Sequence, residues 1–116
     1  MRQIESKIQS ACVEKFRQYY PKLTLLLWAI PNGGKRDAKT GYWMKQDGVL
    51  KGVPDVVLKV PKGKYASLCI EFKSKVGRQS KEQKEVQKAL EEHGNKYVIC
   101  RSVSEFIIEI ENYLHS

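Results

Sequence analysis

An acidic and a basic side chain lie two positions apart in the segment CIEFKSK, where Glu71 precedes Lys73. Because alternate side chains of a β-strand point to the same face, both are expected on one face of a strand, with Ile70 and Phe72 on the other. Apolar residues flank the pair, so it should start near the edge of the core, where unpaired charges are costly. The pattern therefore predicts a charged partner or a metal ion beside Glu71 and Lys73.

A second carboxylate precedes the neighbouring apolar run. Asp55 lies at the start of VPDVVLKV, and residues 61–64, PKGK, are typical of a turn that leads into the strand of Glu71. If the two strands pair as a hairpin, Asp55 lies close to Glu71, and two such carboxylates repel unless a positive group lies between them. A divalent cation meets that requirement, because Mg²⁺ binds a few carboxylate oxygens and keeps positions for water and phosphate. The backbone carbonyl of Phe72 is a further candidate ligand.

Lys73 would then face the phosphate or the attacking water. A lysine can orient and help deprotonate that water, or offset the charge that develops on the phosphorus, while the metal acts as a Lewis acid. Neither Glu-x-Lys nor Pro-Asp is specific alone, since 29% of the residues are charged and Pro-Asp commonly opens turns. Their placement on adjacent apolar strands favours a metal site over a surface ion pair, which is worth only about 0–1 kcal/mol.

The elements that would position these residues alternate between helix and strand. Residues 3–20 predict an amphipathic helix that ends at Pro21, and residues 23–30 form a continuous apolar run that predicts a buried strand. Residues 42–52 predict a short exposed strand or hairpin, and residues 53–75 predict the β-hairpin of the candidate site. The apolar stripe of the first helix consists of Ile4, Ile8, Cys12, Phe16 and Tyr19.

Two capping boxes mark later helices. Ser80 with Gln83 opens one helix, and Ser102 with Glu105 opens the last one. Residues 96–100, KYVIC, predict a strand between them. These elements predict a single α/β domain over residues 1–116, with a mixed sheet flanked by helices. The apolar positions of the first of these helices are Val86, Ala89 and Leu90, and Gly94 suits its C-terminal cap. The apolar positions of the last helix are Phe106, Ile107, Ile110 and Leu114.

Composition indicates a soluble intracellular protein. The chain is 41% hydrophobic, and it contains neither a membrane-length apolar stretch nor the apolar region of a secretory signal. Cys12, Cys69 and Cys100 are odd in number, widely separated and set among apolar residues, which predicts reduced core thiols. His93 and His115 lack metal-ligand spacing with them, so the sequence does not favour a zinc site.

Positive charge predicts a polyanionic partner. The net charge is +8, and residues 102–116 contain three Glu and no Lys or Arg, so the excess lies in the rest of the chain. The basic side chains would bind phosphates, and the two aromatic rings among them could stack on exposed bases. A merely basic surface and a solvated loop are the alternatives. The candidate DNA-binding residues are Lys35, Arg36, Lys39, Tyr42, Trp43, Lys45, Lys51, Lys75 and Arg78.

The combination of Asp on one strand and Glu-x-Lys on the next resembles the PD-(D/E)xK nucleases. A closer resemblance is to the virus-type replication-repair nuclease family, VRR-NUC, and it spans nearly the whole chain. It rests on Glu5 and on the segments PNGG, KGVPDVVLK, IEFKSKVGRQSKEQ and YVICRSVSE. The resemblance implies a restriction-endonuclease-like αβββαβ core and metal-dependent hydrolysis of DNA phosphodiesters, with Mg²⁺ or Mn²⁺ as the cofactor.

The resemblance also implies roles for particular residues. Asp55 and Glu71 would be metal ligands and Lys73 the catalytic lysine, with Glu5 and Gln83 completing the pocket. Glu5 alternatively is an acid in the first turn of a helix, a placement worth about 0.3–1 kcal/mol. Gln83 is equally explained as the capping partner of Ser80, and the two explanations are compatible.

The chain resembles the small stand-alone members of the family. That resemblance implies a homodimeric, structure-selective nuclease that acts on four-way (Holliday) junctions. This implies a bacterial cytoplasm, with or without an infecting phage, as its location. Two alternatives stay open: a flap-cleaving or restriction-type enzyme with the same site, and a DNA-binding module that retains the fold without cutting.

Overall fold

Three α-helices and a four-stranded mixed sheet make up the part of the chain that this computed structural model describes, residues 2–31 and 46–116. A 3₁₀ helix, Pro21–Leu26, joins the first α-helix to the first strand. The other elements are α1 (Arg2–Tyr19), β1 (Leu27–Ala29), β2 (Val56–Leu58), β3 (Leu68–Phe72), α2 (Lys81–Glu92), β4 (Lys96–Cys100) and α3 (Val103–Leu114). In these ranges no helix is both long enough and apolar enough to span a bilayer.

The strands lie in the sheet in chain order, β1-β2-β3-β4. β2 pairs antiparallel with β1 and with β3, and the predicted turn between β2 and β3 is closed by two hydrogen bonds between Lys62 and Tyr65. β3 pairs parallel with β4, so the chain must cross over between them, and α2 lies in that crossover. The predicted mixed sheet with flanking helices is therefore confirmed, and so is the predicted last helix, α3.

The hydrophobic core lies between one face of the sheet and helices α1 and α3. α1 contributes Cys12 and Phe16, both without exposed surface, and the rings of Phe72 and Phe106 lie 6.0 Å apart. All three cysteines are free thiols in buried positions, as predicted. The other members of the core are Val56, Leu58, Leu68, Ile70, Val98, Cys100, Ile110 and Tyr113.

The predicted buried strand at 23–30 is wrong over its first half. Pro21 starts a 3₁₀ helix, because its ring presets a helical φ and its missing N–H is not needed in a first turn. Only Leu27–Ala29 form a strand, and β1 is an edge of the described sheet. Leu25 and Trp28 are 86% and 53% exposed, so the apolar run does not mark a buried segment.

Two further sequence predictions need correction. The stripe of α1 is buried only at its centre, since Ile4 and Tyr19 at its ends are more than half exposed. The helix is about 27 Å long at 1.5 Å per residue, so its ends extend past the short strands. Residues 42–52 were predicted as a strand or hairpin; the described residues in that range, from 46 on, contain turns at 47–48 and 51–52 and no strand.

One capping box is complete and the other is not. Ser80 Oγ accepts a hydrogen bond from the Gln83 N–H at 3.1 Å, and Gln83 Oε1 accepts one from the Ser80 N–H at 2.8 Å. Ser102 Oγ accepts from the Glu105 N–H, but the Glu105 carboxylate accepts from Arg101 rather than from Ser102. The predicted starts of both helices are therefore confirmed, and the reciprocal half of the second box is wrong.

Gly52 should tolerate alanine less well than Gly48. Both have a positive φ, +93° and +91°, so either substitution carries the left-handed penalty of about 1–2 kcal/mol. A Cβ at Gly52 would lie 2.7 Å from the backbone carbon of Glu82 in α2, whereas a Cβ at Gly48 would meet nothing within 4 Å. We expect Gly52→Ala to lower the free energy of unfolding further than Gly48→Ala. Urea titration of both variants measures the difference, and equal losses would contradict a packed contact at Gly52.

Candidate active site

Asp55 is held between two strands at the start of β2. Its carbonyl accepts a hydrogen bond from the Ile30 N–H at 2.8 Å, and its own N–H donates to the Ile70 carbonyl at 3.0 Å. Its side-chain Oδ2 accepts from the Phe72 N–H at 2.7 Å. Asp55 directly precedes β2, and the N–H that its side chain accepts belongs to Phe72, the residue after Glu71, so its carboxylate lies beside Glu71. The hairpin therefore brings together the two acids that the sequence singles out.

Glu71 is a buried carboxylate with two unequal oxygens. Only 1% of the residue is exposed. Oε1 accepts hydrogen bonds from the Tyr97 hydroxyl and, at 3.1 Å, from Gln79 Nε2. Oε2 is buried and has no hydrogen-bond partner. A buried carboxylate oxygen without a donor is costly, so Oε2 is the part of this site that most needs a cation.

Lys73 supplies the positive charge closest to that oxygen. Its Nζ lies 3.6 Å from Glu71 Oε2, which is an ion-pair distance but too long for a hydrogen bond. Its side chain is 11% exposed, so the ion pair is shielded from solvent. The two residues share a face of β3, as their spacing predicts, and the ammonium still has hydrogen-bonding capacity for a water or a phosphate oxygen.

Glu5 reaches the same cluster from α1. A Cβ built on Gly77 would lie 3.3 Å from Glu5 Oε2 and 3.4 Å from Lys73 Cδ, so the carboxylate and the lysine stem meet over this glycine. Arg101 holds the loop in place, because its Nη1 donates to the carbonyls of Ser74 at 2.6 Å and Gly77 at 2.7 Å. A residue with a side chain at position 77 would press on both functional groups.

Three residues that the sequence interpretation did not identify complete the surroundings: Tyr97, Gln79 and Arg101. Gln83 uses its side chain in the capping box of α2, and Gln79, four residues earlier, is the glutamine bonded to Glu71. The sequence shows Tyr97 only as a hydroxyl-bearing residue in the last predicted strand. Its closeness to Glu71 follows only from the parallel register, which pairs Cys69 with Tyr97 and Glu71 with Ile99.

Burial and neighbouring charges shift the pKa values of Asp55 and Tyr97. Burial raises the pKa of Asp55, the Phe72 N–H lowers it, Glu71 and Glu5 raise it, and Lys73 lowers it. Burial also raises the pKa of Tyr97, and its hydrogen bond to Glu71 adds to the rise, so this hydroxyl keeps its proton at neutral pH and acts as a donor. Asp55 is thus influenced by the negative charges of Glu71 and Glu5 and by the positive charge of Lys73, and this excess of negative charge favours a bound cation.

The raised pKa of Asp55 predicts how stability changes with pH when divalent metal is absent. The folded state binds this proton more readily than the unfolded chain, so the group's stabilising contribution is present below its ordinary pKa of 3.8 and is lost as pH rises through the folded pKa. We expect Asp55→Asn to be more stable than the wild type at pH 7, with the difference closing toward pH 4. Thermal melts in EDTA from pH 4 to pH 8 measure it.

The exposed Asp47 provides a matched control for this prediction. Asp47→Asn removes the same charge from an exposed turn and should leave the profile unchanged. A wild type whose stability rises from pH 4 to pH 7 relative to Asp55→Asn would show that the folded state lowers the pKa of Asp55.

The donor set fits a hard divalent cation with few protein ligands. Within residues 2–31 and 46–116, no group of three or more His, Cys, Asp or Glu side chains forms a metal cage. Mg²⁺ needs only one or two carboxylates, with waters and substrate oxygens completing its octahedron. Asp55 and Glu71 supply them. The Phe72 N–H points to Asp55 and the next N–H, from Lys73, points to Cys100, so the Phe72 carbonyl also lies on the Asp55 side.

Basic side chains surround the acids on exposed loops. Lys51 lies in the turn before Asp55, and Lys75 and Arg78 follow Lys73; all three are exposed. The remaining candidate DNA-binding residues lie outside the described residues: Lys35, Arg36, Lys39, Tyr42, Trp43 and Lys45.

Two surface grooves lie away from the acids. One, of about 580 Å³, is lined mainly by α1, and the other, of about 620 Å³, lies between the second face of the sheet and α2. Neither is lined by Glu5, Asp55, Glu71 or Lys73. The acids lie at the start of β2 and the end of β3, next in the chain to the loops that contain Lys51, Lys75 and Arg78.

A mixed sheet that presents Asp55, Glu71 and Lys73 from neighbouring strands is consistent with the core of the PD-(D/E)xK nucleases. The family model of the VRR-NUC domain matches residues 4–104, and the chain belongs to this nuclease family. A solved structure described as a VRR_NUC domain protein is similar over 96% of this chain and 88% of its own, with a TM-score of 0.83 and 23% identity, which shows the shared fold. Among curated proteins, none matches.

Proposed function

We propose that this nuclease is an endodeoxyribonuclease that requires Mg²⁺ or Mn²⁺ and cuts branched DNA, with four-way junctions as the preferred substrate. The observation that supports metal dependence is the buried Glu71 Oε2, which has no hydrogen-bond donor and belongs to the residue next to Phe72, whose N–H the Asp55 carboxylate accepts. A cation held there would relieve the repulsion among the acids and leave positions for phosphate oxygens.

Each residue of the cluster has a distinct task in this proposal. The carboxylates of Asp55 and Glu71 and the carbonyl of Phe72 would hold the cation, which when bound supplies Lewis-acid activation of the phosphate and of water. Lys73, as an ammonium, orients the attacking water and offsets charge on the phosphorane oxygens. Glu5, above Gly77, binds water at the rim of the site. Gln83 organises the start of α2, and a second task for it in the pocket stays a prediction.

DNA binding would rest on charge and stacking rather than on base-specific contacts. The exposed Lys51, Lys75 and Arg78 lie on the loops that border the acids, where they can contact phosphates on both sides of the scissile bond. Lys35, Arg36, Lys39 and Lys45 would extend this basic surface, and the rings of Tyr42 and Trp43 would stack on bases that a branch point exposes.

A homodimer suits a junction substrate. A four-way junction has near two-fold symmetry and must be cut on paired strands, so a closed C₂ dimer that presents two sites is the matching geometry. We propose the bacterial cytoplasm, with or without an infecting phage, as the location, since reduced thiols such as Cys12, Cys69 and Cys100 suit a reducing compartment.

Cleavage of three labelled substrates at one salt concentration tests the proposal. A mobile four-way junction, a 5′-flap and a linear duplex would each be incubated with Mg²⁺, with Mn²⁺ and with EDTA, and light scattering would give the mass of the protein. We expect metal-dependent cutting of the junction above the other two, by a dimer. Preferred cutting of the flap or duplex would favour the flap-type or restriction-type alternative, and binding without cutting would favour the non-cleaving module.

A further inference from the structure

Both hydrogen-bond donors of Glu71 bind the same oxygen. We infer that Tyr97 and Gln79 are positioning residues that hold Glu71 Oε1 and so present Oε2 as a single ligating oxygen, which favours Mg²⁺ and Mn²⁺ over the larger Ca²⁺. The inference rests on the proposed metal-dependent function, and it names residues that act through Glu71 rather than on the substrate.

The asymmetry of the carboxylate supports this assignment. Each oxygen of an ionised carboxylate has about two acceptor directions. The Tyr97 hydroxyl and Gln79 Nε2 occupy both directions of Oε1, whereas Oε2 is buried without a donor. A carboxylate held only by packing would not need two donors on one oxygen and none on the other. The arrangement is the one expected when the second oxygen is reserved for a cation.

Both donors are themselves held in place. Tyr97 lies in β4, where parallel pairing aligns it with Cys69, and only 7% of it is exposed. Gln79 Nε2 also donates to Gln87 Oε1 in α2 at 2.8 Å, so its two amide hydrogens have separate acceptors. The two donors approach Glu71 from different elements, and rotation of the carboxylate would break both bonds. Glu71 therefore has one preferred orientation before any cation arrives.

A one-oxygen ligand discriminates between cations by size. Ca²⁺ takes six to eight oxygens and accepts carboxylates that bind through both oxygens, whereas Mg²⁺ requires a tight octahedron. With Oε1 engaged by Tyr97 and Gln79, Glu71 cannot offer its second oxygen without losing hydrogen bonds. Removal of either donor should therefore weaken the binding of Mg²⁺ and Mn²⁺. It should weaken the binding of Ca²⁺ less, so the preference for the smaller ions should narrow.

Calorimetric titration with Mn²⁺ and with Ca²⁺, without DNA, tests the inference on Tyr97→Phe and Gln79→Leu. Partners of metal ligands typically contribute 10–100-fold to affinity, so we expect Mn²⁺ to bind each variant roughly 10-fold more weakly, with a smaller change for Ca²⁺. Tyr113→Phe is the matched control. Tyr113 is a fully buried tyrosine of α3 whose hydroxyl donates to the Val60 carbonyl at 2.6 Å, away from the acids. It should bind both ions like the wild type.

The outcomes separate the inference from the proposed function. A wild type that binds Mn²⁺, with Tyr97→Phe and Gln79→Leu within twofold of it, would overturn the positioning role and leave the metal site standing. A wild type that binds no Mn²⁺ would overturn both. If Tyr113→Phe loses as much Mn²⁺ affinity as Tyr97→Phe, the loss reflects general destabilisation of the fold, and the inference is also overturned. If Tyr97→Phe does not fold, Gln79→Leu, at a partly exposed position, decides alone.

Discussion

Lys73→Ala is expected to reduce metal-dependent cleavage of a four-way junction by roughly 10²–10³-fold, the range for loss of a donor that stabilises charge developing in the transition state. The Lys73 ammonium lies 3.6 Å from Glu71 Oε2 and is shielded from solvent, so no exposed lysine nearby can take its place. Junction affinity should stay within about twofold, because DNA binding depends on the sum of many phosphate contacts. Single-turnover cleavage and gel-shift binding, measured in parallel, give the two quantities.

A matched control is available two residues away. Lys75→Ala removes an exposed positive charge from the same loop and should weaken DNA binding with little effect on single-turnover cleavage at saturating enzyme. Since truncation of Lys73 leaves Glu71 without its ion-pair partner, Lys73→Met should be tested as well, because it retains the stem that packs against Gly77. Cleavage by either Lys73 variant at the wild-type rate would rule out the assigned role.

Glu71→Gln is expected to abolish both cleavage and stabilisation by metal. The amide retains an oxygen that can accept from Tyr97 and Gln79, so the local packing should survive. Its NH₂ group would replace Oε2, and an NH₂ group cannot ligate a cation. The wild type should gain about 2.7 kcal/mol in its free energy of unfolding at a metal concentration 100 times the dissociation constant, and the variant should gain almost nothing.

Urea titrations with and without Mn²⁺ measure this difference independently of catalysis. Glu91→Gln changes an exposed glutamate of α2 in the same way and should keep both the metal-dependent gain and the activity. If Glu71→Gln keeps the full gain, the cation binds elsewhere in the chain and the assignment of Oε2 as a ligand is wrong.

The local part of the site could be predicted because it depends on short-range geometry. Glu71 and Lys73 share a face for the simple reason that strand side chains alternate. Asp55 reaches Glu71 because a hairpin with a turn at residues 61–64 can form only one compact register between two short apolar runs. The start of α2 could likewise be predicted from its capping box.

The predictions that failed were those that inferred burial from composition. The apolar run at 23–30 lacks an alternating pattern, so nothing in it shows that Leu25 and Trp28 face solvent at an edge strand. The apolar periodicity of α1 includes Ile4 and Tyr19 near its ends, but these residues are more than half exposed, whereas Cys12 and Phe16 are fully buried. Burial depends on what the rest of the chain places opposite a residue, and periodicity contains no information on that.

The amino-acid sequence by itself determined the α/β class, the acidic hairpin and the lysine beside it, because each follows from contacts between residues close in the chain. Only the tertiary structure decided that Tyr97 and Gln79 hold one oxygen of Glu71 and that Glu5 meets Lys73 over Gly77. Those contacts join β4 to β3 across a parallel pairing, and α1 to a loop more than 70 residues later. Their register is set by the packing of the whole core, which no local pattern encodes.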